Sequence, residues 1–92
     1  MTQQTKNHLE ILKEIIALLK NNGLKTEQIQ LENEIAESST GGEICMRSAS
    51  LLLSLNQQEK IKNVIGQLTS ELIDYCHLNG LEPLPKEIKN GN

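Results

Sequence analysis

The chain has 92 residues, 37 % of them apolar and 23 % charged, and a chain of this length is expected to build one hydrophobic core. Its formal net charge is -3, and it holds Tyr75 but no Trp or Phe. That balance weighs against nucleic-acid binding, which relies on basic grooves and stacked aromatic rings.

No apolar run approaches the roughly 20 residues that span a bilayer. Met1–Asn7 has neither the basic nor the apolar region of a signal peptide. The expected location is therefore the cytoplasm, without a membrane partner. There Cys45 and Cys76 are expected as reduced thiols.

From about 7 to 22, stepping 100° per residue, Leu9, Ile11, Leu12, Ile15, Ile16, Leu18 and Leu19 fall within half the circumference. Glu10, Lys13, Glu14, Ala17 and Lys20 lie opposite, which predicts an amphipathic helix. Asn22-Gly23-Leu24 ends it: glycine takes the left-handed conformation and Leu24 packs back on the last turn. A weaker helix is predicted at about 26–38, with Ile29, Leu31, Ile35 and Ala36 as its apolar positions.

Ser38-Ser39-Thr40-Gly41-Gly42-Glu43 reads as a flexible turn and hinge merging into a capping box made by Thr40 and Glu43. The third helix, about 41–55, carries Ile44, Cys45, Met46, Ala49, Leu51, Leu52, Leu53 and Leu55 over roughly 220°. Arg47, Ser50 and Ser54 form its polar wedge, so this helix is either central or shared with another chain. Asn56 is the expected cap of a fourth helix at about 57–79, whose apolar stripe runs from Ile61 to Cys76 and which stops at Asn79-Gly80-Leu81. Two prolines follow, and 82–92 reads as a flexible tail. The predicted fold is a single all-α domain, a small bundle of four largely antiparallel helices.

His8, Cys45, Cys76 and His77 lack the paired short spacings of zinc ligands. Cys45 and Cys76 are expected in the core, His77 on a polar side and His8 partly exposed at a helix end. Gly41-Gly42 lacks the lysine and hydroxyl of a phosphate loop. The expectation is a non-enzymatic protein with no metal or other cofactor; a thiol-based redox enzyme using Cys45 or Cys76 is the remote alternative.

Between Thr26 and Met46 the sequence has Glu27, Glu32, Glu34, Glu37 and Glu43 and no lysine or arginine, a local charge of about -5. Glu27, Gln30, Asn33, Glu34 and Glu37 share one side of the second helix, a carboxylate and amide face suited to a basic protein partner, or simply a solvated face. Arg47 stands alone on the third helix. Met46 and Leu53 lie on the far side of that helix from Ile44, Leu51 and Leu55, and together with Gly66 and Ile73 they suggest self-association as a homodimer or assembly subunit. In size and charge the chain is similar to small acidic helical proteins such as bacterial immunity and antitoxin proteins, and no motif carries that likeness further.

Overall fold

A computed structural model of the protein describes residues 7–85. They form α1 (His8–Asn21), α2 (Lys25–Ala36), α3 (Gly41–Leu55) and α4 (Glu59–Leu78). Among the described residues there is no strand, and no helix is long and apolar enough to cross a membrane. Each helix packs on its neighbours in sequence, and α1 packs on α4 to close the bundle. Three contacts give the directions. Glu34 and Glu37, late in α2, meet Arg47 early in α3; Cys45, early in α3, meets Cys76 late in α4; His8, at the start of α1, meets Tyr75 late in α4. Spatial neighbours are therefore antiparallel, and the chain runs up, down, up and down.

Local chemistry defines most of the ends. Asn7 Oδ1 accepts from the Glu10 backbone N–H at 2.9 Å while Glu10 Oε1 accepts from the Asn7 N–H at 3.2 Å, a complete capping box at α1. Gly23 has φ 72° and Gly80 φ 76°. Behind them the Leu24 N–H reaches Leu19 O at 2.9 Å and the Leu81 N–H reaches Cys76 O at 2.8 Å, so α1 and α4 close with the same motif. Thr40 Oγ1 caps α3 by accepting from the Glu43 N–H, but the Glu43 carboxylate accepts from the Ser39 N–H instead of that of Thr40. Gly41 and Gly42 are not a hinge; they form the first turn of α3.

Asn56 is not the cap of α4. It ends α3, where its Nδ2 donates to Leu52 O at 2.7 Å and to Thr69 Oγ1 of α4 at 2.9 Å. Gln58 holds the cap position of α4 with no side-chain hydrogen bond. The amide spans the corner between two helices, a task that local sequence spacing does not reveal.

The core takes a stripe from every helix, with Ile15, Leu31, Leu52 and Leu72 all at 0 % exposure. Burying such a side chain contributes about 1.5–3 kcal/mol before entropy is counted. Helix α3 is the most deeply set: Ser48 and Ser54 are buried along with its apolar residues, so the expected polar wedge does not face solvent throughout. Ser54 Oγ turns back to Ser50 O, the local solution open to a hydroxyl inside a helix. Three apolar positions depart from expectation, Ala36 at the exposed end of α2 being the smallest. Leu9 is 52 % and Ile29 44 % exposed, because α1 and α2 bury narrower stripes than their apolar arcs cover.

After α4, residues 81–85 continue without helix. Pro83 is buried, and Ser50 Oγ donates to Leu84 O, which lays this segment against α3. The remainder of the segment expected as a tail, 86–92, lies outside the described residues.

Candidate interaction surfaces

Helix α2 has only Leu31 fully in the core, and this fixes which of its faces is outward. Gln30, Asn33 and Glu37 are exposed, whereas Glu27 and Glu34 are half-buried. The acidic side is therefore divided between an outer row and an edge turned towards α3. Exposed Ile29 lies on the outer side, with Glu32 and Asn33 one turn further on and Ala36 beyond them, all exposed.

The edge is neutralised from within. Arg47 Nε donates to Glu34 Oε1 at 2.9 Å, and Arg47 Nη2 donates to Glu37 Oε1 at 2.8 Å. Arg47, isolated in the sequence, is thus the internal counter-charge of the acidic segment. Gln28 Nε2 donates to Glu32 Oε2 at 3.2 Å, one turn along α2.

A second surface lies between α3 and α4. Leu53, Gly66 and Ile73 converge on one open groove of about 790 Å³, with Asn56 and Thr69 at its wall and Lys62, Ser70 and Asp74 along its α4 side. A Cβ on Gly66 would sit 3.2 Å from Lys62 Cγ and 3.6 Å from Asn56 Oδ1, and that amide oxygen is buried without a hydrogen-bond partner among the described residues. Met46 is not part of this groove. It lines a separate depression with Glu34, Arg47, Ser50 and Leu84, beside the segment that follows α4.

The two thiols meet inside the bundle. Cys45 is 1 % and Cys76 0 % exposed, both are reduced, and their Sγ atoms are 2.7 Å apart. Cys76 Sγ is also 3.7 Å from Cys45 O. Burial pushes the Cys76 thiol up to about 12, helped by its hydrogen bond to Cys45, and burial raises Cys45 as well. Both thiols are therefore held protonated in the folded protein.

At the same end of the bundle the His8 ring packs on Tyr75 with centroids 5.2 Å apart. Neither ring nitrogen of His8 has a hydrogen-bond partner among the described residues, and burial lowers its pKa below the usual 6.5. His77 is exposed in the last turn of α4. Among the described residues no three His, Cys, Asp or Glu side chains are grouped to hold a metal ion. Comparison with protein-family models, curated proteins and solved structures finds no match for this chain.

Proposed function

We propose that the protein is a non-enzymatic interaction module whose outer α2 face binds a basic, amphipathic segment of another protein. The observation that carries this reading is the composition of that face. Exposed Ile29 supplies an apolar contact, Glu32 supplies charge, Gln30 and Asn33 supply hydrogen-bonding amides, and at the rim Lys25 and the Arg47-paired Glu37 complete the exposed polar border. An apolar centre within a polar rim is the usual anatomy of a binding patch. Across the whole segment, five carboxylates from Glu27 to Glu43 face one internal cation, Arg47, so the surplus is negative and favours a basic partner. Neutralising a toxic or regulatory basic protein is one use of such a surface.

The test uses a fluorescent helical peptide of alternating lysine and leucine turns as the probe. Its anisotropy is expected to rise with added protein and to fall back as salt is raised. Ile29→Arg combined with Glu32→Lys leaves the core and the Arg47 pairs untouched and should abolish the rise. Equal affinity and salt dependence in that double variant would overturn the reading.

A second reading is a homodimer through the α3–α4 groove, and a symmetry argument supports it. Along α4 the groove presents Lys62, Gly66, Ser70 and Asp74, each one turn from the next. Two copies of α4 packed antiparallel about a two-fold axis would place Lys62 of each copy against Asp74 of the other, with Gly66 against Ser70 at the centre. Leu53 and Ile73 would flank the contact. Light scattering at increasing concentration should show a dimer that Lys62→Asp weakens and that Lys62→Asp with Asp74→Lys restores. A constant monomer mass would remove this reading.

A further inference from the structure

We propose that Cys45 and Cys76 are a modification site: the pair forms an intrachain disulfide that ties the start of α3 to the end of α4. The two sulfurs already lie 2.7 Å apart, closer than non-bonded heavy atoms ordinarily rest, at about 3.5–4.0 Å. A bond length of about 2.05 Å therefore requires only a small further approach. Both positions are in regular helix and both side chains are buried in the α3–α4 interface.

The same geometry says how the bond is reached. With both thiols buried and held protonated, the closed bundle resists a dissolved oxidant. Cys76, however, sits in the last turn of α4, where the carbonyl of Cys76 accepts the capping N–H of Leu81. Fraying of that cap brings Cys76 to solvent with an ordinary thiol acidity. The oxidant is a small disulfide. Cys76 gives up its proton and its sulfur attacks one sulfur of the reagent, breaking the reagent's S–S bond and releasing one thiol. While the helix end is still frayed and Cys45 uncovered, the Cys45 sulfur loses its proton and attacks Cys76 Sγ, forming the Sγ–Sγ bond and releasing the second thiol, after which the helix end recloses over the bridge. The protein loses two hydrogens and two electrons, and the reagent's disulfide becomes two thiols.

The experiment incubates the full chain with excess oxidised glutathione, alone and in graded sub-denaturing urea. The expected product is a monomer lighter by about 2 Da than the reduced protein, with one proteolytic fragment joining the Cys45 and Cys76 peptides. The residues are 31 apart in sequence, so the closed loop should raise Tm by about 15 °C or more, reversibly with dithiothreitol. Formation should be faster in urea. Cys76→Ser should show none of these changes; if that variant does not fold, the linked fragment from the unaltered protein still decides the matter. Recovery of two alkylatable thiols after unfolding, or only glutathione adducts and disulfide-linked dimers, would overturn the assignment.

Discussion

Arg47 Nε donates to Glu34 Oε1 across the α2–α3 interface at 2.9 Å, and the Glu34 side chain is only 12 % exposed. The neighbouring pair from Arg47 Nη2 to Glu37 has similar length, but the Glu37 side chain is 67 % exposed. A carboxylate at the edge of the core is poorly reached by water and salt, whereas an exposed one is screened. Glu34→Gln should therefore lower the urea midpoint several-fold more than Glu37→Gln, and only the smaller effect should fade in high salt. Equal losses would place the two pairs in the same environment.

Leu9 and Leu12 stand on the same apolar arc of α1, yet Leu9 is 52 % and Leu12 1 % exposed. Removing the buried side chain leaves a cavity lined by neighbours that cannot collapse into it. Leu12→Ala should cost about 2–5 kcal/mol, whereas Leu9→Ala should stay within about 0.5 kcal/mol. Denaturant unfolding with a common slope measures both.

This contrast marks what can be read in the sequence. The endings at Gly23 and Gly80 are legible because a glycine followed by leucine is a local instruction, satisfied by the residues beside it. The deep burial of α3 is in keeping with the width of its apolar arc, although the arc alone leaves open whether this chain or a second copy covers it. The exposure of Leu9 and Ile29 is not legible, because an arc says which side is apolar and not how much of it a neighbour covers. The roles of Arg47 and Asn56 depend on partners 13 residues away, Glu34 and Thr69 respectively. The proximity of Cys45 and Cys76 likewise appears only once the register of α3 on α4 is known. Of the interaction surfaces, sequence groups Leu53, Gly66 and Ile73 with Met46; the structure gathers the first three and seats Met46 elsewhere.

The His8 imidazole is held below its usual pKa of 6.5 by burial. The folded state thus favours the neutral ring, while the unfolded chain takes up a proton as pH falls through about 6.5. The resulting contribution to stability is present above that pH and is lost progressively below it, down to the folded pKa. Unfolding midpoints measured between about pH 7.5 and 5 should decline. His8→Gln should remove part of that decline; an unchanged slope would show that other groups produce it.

Two glycines should respond oppositely to alanine. Gly23 has φ 72° and open space around its Cβ position, so Gly23→Ala meets backbone strain alone and should cost about 1 kcal/mol. Gly41 is helical, and its Cβ would rest 3.8 Å from His8 Nε2, an ordinary contact. Gly41→Ala should therefore stabilise by about 0.5 kcal/mol by restricting the unfolded chain. Thermal unfolding of the two variants side by side checks the signs.

The three connections between helices are short: Asn22 to Leu24, Glu37 to Thr40 and Asn56 to Gln58. Each helix thus finds its next partner by closing a small loop, at little entropic cost. Among the helix pairs in extensive contact, only α1 with α4 joins segments distant along the chain. A topology of this kind has low contact order, which places its folding on the microsecond-to-millisecond timescale, with the α1–α4 seam bearing the largest search.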